Sequence, residues 1–443
     1  MTEKRLYIET WGCQMNRHQS EGMAGTLVRA GYRIVDSLSE ADVVLFNGCM
    51  VRQKAEEKVY GRIGAVVEEK RHRPVILGVG GCLGQIRGAS LTDRFRAVDF
   101  VFGAYGHGSL PGVLDSVAEE GTRPVSLPSG FAIDEIPSER SSGATAMVTI
   151  TEGCSNFCSY CVVPYARGPM RSRDPGRIAL EIEGAVAAGH REVLLLGQNV
   201  NAYGTDRPEF GSFVELLRTI ADLGPDRIRF TSSHPRDLGV DLMEAMAEIR
   251  QVCPHLHVAA QSGSDRILQA MNRGTTRTEF LGKLARARAL VDGLNVTTDL
   301  IVGYPGESEK DFEDSLDLIE AGRFGSIYAA KYSPRPHARS ARAPDDVSEA
   351  TKDDRLHRIL DRQRAIALEE NERFLGESVE VLIEGASRDD AWLGRAADHR
   401  TVVARVEDDG ADVRVGSLIT ARIEAVTAAA LTGTVCVPII PGV

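Results

Sequence analysis

Three cysteines lie within one short stretch, Cys154-Ser-Asn-Phe-Cys158-Ser-Tyr-Cys161. Thiolates at this spacing reach three of the four irons of a [4Fe–4S] cluster from a single loop. The fourth iron is then left without a protein ligand, although cluster irons are ordinarily held by four cysteines. An open iron can bind a small molecule, pass it an electron and break it, so the loop reads as a reaction centre rather than a wire. A structural zinc site takes four ligands, and no further Cys or His is close in sequence. Tyr160, just before the third cysteine, is a candidate to cover one side of a bound ligand.

Cys13, Cys49 and Cys82 form a second set. Each follows a short apolar run (Arg5–Thr10, Val43–Phe46 and Val75–Val79), and each stands beside a glycine, Gly12, Gly48 or Gly81. Helical patterns alternate with these runs, one near Ser20–Ala30 ending at Gly31 and one through about Lys70. This predicts an α/β unit with a parallel sheet. In an open parallel sheet the carboxyl ends of the strands share one edge, where ligands bind. Cysteines far apart in sequence therefore converge there. One cysteine after one strand is an ordinary core residue; three in equivalent turns predict a metal site. Cys253 and Cys436 stand in apolar surroundings outside both sets and are expected in the core.

Residues 122–145 are rich in Pro, Ser and Gly and read as a linker. Strands are then expected at Met147–Ile150, Glu192–Leu196, Arg227–Thr231, His255–Ala259, Val296–Ile301 and Ile327–Tyr332. Helices are expected between them at Arg177–Ala188, Asp241–Ile249, Glu279–Val291 and Glu309–Ala321. Six such units predict an incomplete (β/α)6 barrel, whose chemistry sits at the carboxyl ends of the strands. The Cys154–Cys161 loop follows the first of them. Ser348–Phe374 reads as a charged connecting helix. Short β-type runs at Val379–Ile383, Thr401–Val406 and Leu418–Val426 predict a small β-barrel of OB-like type. The expected fold class is thus α/β with a terminal β-barrel, in domains 1–135, 140–373 and 374–443.

The chain has 443 residues, 43% hydrophobic and 26% charged, with a net charge of −11. That balance argues against broad, nonspecific nucleic-acid binding and leaves room for a local basic surface. The uncharged run Ala425–Val443 is broken by Gly433, Pro438 and Pro441 and is unfit to span a membrane as a helix. The start lacks the apolar stretch of a signal peptide. The expectation is a cytoplasmic monomer without a membrane partner, where clustered cysteines serve metals rather than disulfides.

The neighbouring residues carry a resemblance. Glu9-Thr-Trp-Gly-Cys13-Gln-Met-Asn16, Glu152-Gly-Cys154, Cys161-Val-Val-Pro-Tyr165, Leu196-Gly-Gln-Asn-Val-Asn-Ala-Tyr203, Thr231-Ser-Ser-His-Pro235, Gln261-Ser-Gly-Ser-Asp265 and Asp299-Leu-Ile-Val-Gly-Tyr-Pro-Gly-Glu307 resemble the radical S-adenosylmethionine methylthiotransferase family. The likeness covers essentially the whole chain, and the last domain resembles that family's TRAM module. Val51-Arg-Gln-Lys-Ala-Glu-Glu-Lys58 points to the branch acting on tRNA. The resemblance implies two [4Fe–4S] clusters. The cluster of Cys154, Cys158 and Cys161 would bind S-adenosylmethionine and split it to a 5′-deoxyadenosyl radical, using a low-potential electron donor. The cluster of Cys13, Cys49 and Cys82 would carry the inserted sulfur. The reaction implied is methylthiolation at C2 of an N6-isopentenyladenosine next to the anticodon, a C–H bond with no useful acidity.

By the same analogy Gln198, Asn199, Ser233, Gln261, Arg273 and Asp299, at or just beyond expected strand ends, are candidates to contact S-adenosylmethionine or substrate. His234 is either a turn residue or a substrate contact. Gly303-Tyr-Pro-Gly306 is expected to form a turn, either a plain one or one that lets the backbone approach a ligand. Two basic groups are candidates for phosphate contacts: Arg167, Arg171, Arg173 and Arg177, and Lys331, Arg335, Arg339 and Arg342. Three features depart from the family: residues 374–443 hold six basic against eleven acidic residues, His257-Val-Ala-Ala-Gln261 replaces the more usual Leu-Pro-Val-Gln, and Arg273-Gly-Thr-Thr276 lacks the usual Tyr after the Gly. Three other readings stay open. They are methylthiolation of a ribosomal-protein aspartate, a non-catalytic iron–sulfur RNA-binding protein, and a zinc-structured RNA module.

Overall fold

Strands buried on both faces need continuous apolar runs, and Val43–Phe46 supplies one in which every residue is buried. The computed structural model describes residues 4–128, 140, 143–387, 391–406 and 412–440. By packing the chain divides into two units. The first comprises Met1–Ser141, Glu152–Arg173 and Ser333–Ala341; the second comprises Ser142–Thr151, Asp174–Tyr332 and Arg342–Val443.

In the first unit a six-stranded parallel sheet runs in the order β2-β1-β3-β4-β5-β6. Its strands are β1 (Lys4–Trp11), β2 (Tyr32–Ile34), β3 (Val43–Gly48), β4 (Ile76–Gly80), β5 (Phe100–Phe102) and β6 (Val125–Ser126). Helices α1 (Gln14–Arg29), α2 (Gln53–His72), α3 (Gly81–Arg87), α4 (Ser90–Arg94) and α5 (Leu110–Glu120) connect them. Helix α1 starts directly behind Cys13, six residues before the expected start, because Cys13 itself is the extended N-cap residue. The linker expected at 122–145 is in part strand, since β6 closes the sheet edge by pairing with β5; other parts of that stretch lie outside the described residues. The cysteine loop belongs to this unit. Behind it, α6 (Val163–Arg167) follows Val162, and Val162 and Ala166 join a core with Val59, Ile63, Leu83 and Val101.

In the second unit β7 (Thr145–Thr149), β10 (Glu192–Leu196), β11 (Arg227–Phe230), β12 (His255–His257), β13 (Asn295–Val302) and β14 (Ser326–Lys331) are parallel strands. The short strands β8 (Thr151–Glu152) and β9 (Arg171–Ser172) fall between the first two in sequence. The six form two three-stranded sheets, β7-β10-β11 and β12-β13-β14, joined by a parallel bridge between Ser233 and Val258. This is the expected incomplete barrel, each strand within two residues of its predicted start. Helices α7 (Pro175–Ala187), α8 (Phe213–Asp222), α9 (Val240–Glu248), α10 (Asp265–Ala270), α11 (Arg277–Leu290) and α12 (Glu309–Gly322) pack around it. Ser212, Thr276 and Ser308 start α8, α11 and α12 with reciprocal capping boxes. These satisfy backbone N–H groups that the first helical turn leaves free.

Helix α13 (Glu349–Glu372) buries Lys352, whose Nζ donates to Asp345 and Glu349. Its stem fills the space a side chain at Gly303 would need: a Cβ there would meet Lys352 Cγ at 2.3 Å, and Gly303 has φ +72°. The turn after β13 thus admits a helix side chain.

The chain ends in a closed five-stranded barrel, β15-β16-β17-β19-β18, made of β15 (Ser378–Ala386), β16 (Ala391–Ala396), β17 (Thr401–Arg405), β18 (Leu418–Val426) and β19 (Leu431–Ile440). Cys436 on β19 is exposed, while Cys253 is buried. The expectation for Cys436 fails because apolar neighbours in a strand alternate between two faces.

Two arginines at the amino end of β11 fasten this barrel. Arg227 donates to Arg395 O at 2.8 Å and Glu380 Oε1 at 2.8 Å. Arg229 donates to Ala396 O and Ala397 O at 2.8 Å and to buried Glu192 at 2.6 Å. Removing one partner of a buried pair costs about 3–5 kcal/mol, since the other charge stays behind. Arg229→Met is accordingly expected to lower the urea unfolding midpoint by an amount worth roughly 3 kcal/mol. An unchanged midpoint in equilibrium unfolding would show that the barrel is not held this way.

Candidate functional site

Strands β1, β3 and β4 are neighbours in the sheet and run parallel. Cys13 follows β1, Cys49 follows β3, and Cys82 lies in the first turn of α3 behind β4. The three thiols therefore meet at one sheet edge. Cys49 and Cys82 are buried and Cys13 is exposed. Burial, then the neighbouring Cys13 and Cys82, push the Cys49 thiol up to about 12. Burial likewise raises Cys82, against the opposing pull of Arg167. Raised in this way, Cys49 and Cys82 stay protonated at pH 7 unless a positive centre among them draws off their protons.

The backbone around them leaves no space for side chains. A Cβ on Gly12, at φ +139°, would meet Cys49 Cβ at 2.5 Å, and one on Gly81, at φ +73°, would meet Asn47 Oδ1 at 2.1 Å. Asn47 in turn ties β3 to α1: its Nδ2 donates to Asn16 O at 2.8 Å and Ser20 Oγ at 3.0 Å, and its Oδ1 accepts from Asn16 Nδ2 at 3.1 Å. Asn47 escaped the sequence reading, although a polar residue ending an otherwise apolar strand was the available signal.

Among the described residues no group of three His, Cys, Asp or Glu is arranged to hold a single metal ion. A tetrahedral zinc asks for ligands at roughly 2.0–2.3 Å from one centre, whereas in an iron–sulfur cluster each thiolate takes its own iron. Three thiols at one edge, in a glycine cradle, fit the larger group.

Arg167, fully buried at the end of α6, is aimed at this edge. Its Nε donates to Cys82 Sγ at 3.2 Å and its Nη2 to Gln19 Oε1 at 2.9 Å. Glu152, equally buried, lies 3.6 Å away. Burial holds the Glu152 carboxyl up at about 7, although Arg167 pulls it down. Burial lowers Arg167, but Cys82 and Glu152 more than offset this and its net shift is upward. Arg167, by sequence a candidate phosphate contact, is instead a link between Cys82 and the Glu152-Gly153-Cys154 turn. Arg173 and Arg335 are buried as well, which removes them from the phosphate-binding candidates. Lys331 pairs with Glu349 and Asp353. Arg177, Arg339 and Arg342 are exposed.

Around the cysteine loop itself, Cys154 N donates to Gly168 O at 3.1 Å and Cys161 N to Cys158 O at 3.0 Å. Gly153 has φ +75°, and a Cβ on it would meet Pro169 O at 2.1 Å. The turn into the first cysteine therefore requires glycine. The loop is also joined to Ser333–Ala341: Ser340 N donates to Ser159 O at 2.8 Å. At the other end Ser333 Oγ donates to Gln53 Oε1 at 3.0 Å, and Arg335 lies 3.8 Å from Glu56.

In the second unit Gln198, Asn199, Ser233 and Gln261 lie just beyond the carboxyl ends of barrel strands, whereas Asp299 sits within β13 and Arg273 follows α10. Asn199 is buried, donates to Asp237 Oδ2 at 2.6 Å and accepts from His234 N at 3.2 Å. His234 Nδ1 accepts from Arg236 N, which leaves the proton on Nε2. Burial, then Arg273, push this histidine down to about 3, so it is neutral at pH 7. His234 Nε2, Ser233 Oγ and Gln198 Oε1 are buried with no hydrogen-bond partner. A buried polar atom left unpaired costs about 1–3 kcal/mol, so three of them at strand ends fit a polar ligand.

Gln261 has φ +76°, and its backbone bridges to β13: Gln261 N donates to Asp299 O at 2.8 Å and Ile301 N to Gln261 O at 2.9 Å. Asp299 is engaged by His257, whose Nε2 lies 3.1 Å from Asp299 Oδ2 while its Nδ1 meets Thr297 Oγ1 at 2.9 Å. Arg273 donates to Ala259 O.

Comparison with known proteins covers both units. Residues 5–103 match the uncharacterized protein family UPF0004, and residues 148–319 match the radical SAM superfamily. The tRNA-2-methylthio-N(6)-dimethylallyladenosine synthase of Geotalea uraniireducens is 43% identical over 98% of this chain and 99% of its own. The protein of the same name from Geobacter metallireducens is 45% identical over 89% and 90% of the two chains. Among solved structures, the radical S-adenosylmethionine methyltransferase TsrM from Kitasatospora setae superposes with a TM-score of 0.59 at 14% identity, over 77% of each chain. The cobalamin-dependent S-adenosylmethionine radical enzyme OxsB gives 0.52 at 12% identity, over 82% of this chain and 56% of its own. These two likenesses speak for the fold.

Arg167→Met leaves Glu152 and the Cys82 sulfur in the interior without their cation. In the iron-free protein the expected loss is about 3 kcal/mol at high pH and shrinks as the pH falls, because Glu152 without Arg167 takes up a proton more readily. Urea unfolding of the two proteins side by side checks this, and an undisturbed midpoint would mean that the guanidinium is not paired as described.

Proposed function

Since the chain belongs to the family of tRNA-2-methylthio-N(6)-dimethylallyladenosine synthases, we propose that it is a radical enzyme that methylthiolates C2 of N6-isopentenyladenosine beside the anticodon of tRNA. The observation that carries the reading is the two sets of three cysteines within one packed unit, joined through Arg167. In this reading Cys154, Cys158 and Cys161 hold one [4Fe–4S] cluster and Cys13, Cys49 and Cys82 the other. With S-adenosylmethionine these groups supply a low-potential electron, a carbon radical strong enough to take hydrogen from an aromatic C–H, and the sulfur and methyl group.

The protein's own residues position and exclude. Gly12, Gly81 and Gly153 allow the backbone to wrap closely around the clusters. Arg167 offers a charged N–H to the Cys82 sulfur, which stabilises it as a thiolate and orients it, as outer partners of metal ligands do. At the barrel strand ends Gln198, Ser233 and the neutral His234 offer one carbonyl, one hydroxyl and one ring N–H to a polar ligand. Asn199, Gln261 and Asp299 are proposed to line the same S-adenosylmethionine and substrate site, with Asp299 oriented by His257. Low dielectric and exclusion of water protect a radical from side reactions.

The same reading makes the protein a cytoplasmic monomer served by a low-potential electron donor. Among the described residues no helix is long and apolar enough to cross a membrane.

The test is mass spectrometry of nucleosides after anaerobic incubation with reductant, S-adenosylmethionine and isopentenylated tRNA lacking the thiomethyl group. A methylthio adduct on isopentenyladenosine is expected. Replacing Cys154, Cys158 and Cys161 together by Ala should abolish 5′-deoxyadenosine, and its persistence would falsify the assignment. Replacing Cys13, Cys49 and Cys82 should leave that cleavage and stop sulfur insertion. Cleavage without any adduct on RNA, but with a mass gain on a ribosomal-protein peptide, would transfer the activity to the aspartate-modifying branch.

A further inference from the structure

Among the described residues three Phe, Tyr or Trp side chains are exposed, and two of them stand together: Phe157 at 55% and Tyr165 at 45%. Their rings meet edge to face, with centroids 6.5 Å apart at 79°. An exposed histidine, His337, lies against the same tyrosine, 5.7 Å away at 33°. Water-exposed aromatic surface is unfavourable, and here it is held under backbone strain. Phe157 has φ +48° and His337 φ +67°, a region that costs residues with a Cβ of order 1 kcal/mol. Strain of this kind persists only where surrounding contacts enforce it, and it concentrates at functional sites.

Those contacts are visible. The segment carrying His337 is pinned to α2, just behind Cys49, by Ser333 and Arg335, and to Ser159, between Cys158 and Cys161, by Ser340. The rings therefore stand beside the Cys154–Cys161 loop, on a segment that also touches α2 behind Cys49. Of the arginines on Glu152–Arg173 and Ser333–Ala341, Arg167, Arg173 and Arg335 are buried. Arg339, two residues from His337, is exposed.

We propose that Phe157, Tyr165 and His337 form a stacking platform for an unpaired nucleobase of the RNA substrate, with Arg339 on the adjoining backbone phosphate; this rests on the RNA-modifying reading above. Aromatic faces framed by cations are how proteins grip single-stranded nucleic acid, because every base offers a π-face and a phosphate follows it. Sequence-specific RNA recognition takes bases from unpaired loops and splays them onto such rings. A base that must be reached at C2 has to leave its stack, and rings beside the cysteine loop replace the stacking it or its neighbour loses.

The experiment uses the holoenzyme and an isopentenylated anticodon stem-loop with 2-aminopurine next to the target adenosine, whose emission falls when it stacks. Wild-type protein is expected to bind and quench. Tyr165→Leu and His337→Leu are expected to bind about tenfold more weakly and to lose the quenching, while Tyr165→Phe and Tyr165→Trp keep both. Iron and sulfide content reports whether each variant is intact; should Tyr165→Leu lose iron, His337→Leu, in a separate segment, decides. Unchanged affinity and quenching in the intact Leu variants overturn the platform and leave the tRNA reading standing. A wild-type protein that ignores the stem-loop but binds a ribosomal-protein peptide overturns both.

Discussion

A guanidinium taken out of water needs partners inside the protein, and Arg167 draws on three different segments, through two hydrogen bonds and an ion pair in which its Nη1 makes no hydrogen bond. It reaches Cys82 behind β4, Gln19 on α1, and Glu152 at the entrance to the cysteine loop. Because an unpaired charge is so costly in that interior, these segments are held to one arrangement: moving any of them would strand a charge. The Glu152–Arg173 segment therefore packs as part of the first unit, with Val162 and Ala166 completing its core. The two cysteine sets are positioned by one body of protein rather than by a hinge.

The second unit answers a different constraint. A parallel barrel places side chains at one end, and its short strands must be locked in register. Thr298 does so between β12 and β13, accepting from Ala260 N and donating to Val258 O. Helix α13 seals the turn after β13 with Lys352, and Arg227 and Arg229 clamp the terminal barrel through backbone carbonyls. The clamp uses backbone carbonyls and one acidic side chain of the barrel, Glu380, which is compatible with the barrel's acidic composition. What this leaves at the strand ends is a group of polar atoms with unmet hydrogen-bonding capacity, and a neutral His234 among them.

The three exposed rings extend the logic of the first unit. The contacts that order Ser333–Ala341 also force His337 into its strained conformation, so the cost of presenting an aromatic surface is carried by Arg335, Ser333 and Ser340.

Strand periodicity and the βα turn rule were legible, and they gave the six barrel strands and the edge shared by Cys13, Cys49 and Cys82, because both depend on local patterns and on the fixed direction of parallel strands. Spacing alone also marked Cys154, Cys158 and Cys161. Short strands such as β2 and β6 were not legible: two or three residues carry no period, and they are strands only because a neighbour pairs with them. The roles of the arginines were invisible for a related reason. Arg167, Arg173 and Arg335 look like any basic surface run in one dimension. Whether a charge faces water or a buried thiol depends on which distant segments fold over it. The sequence by itself determined the chemistry available to this protein. Tertiary packing decided which charges serve that chemistry from inside and which remain free for a partner, because desolvation is a property of the surroundings and not of the residue.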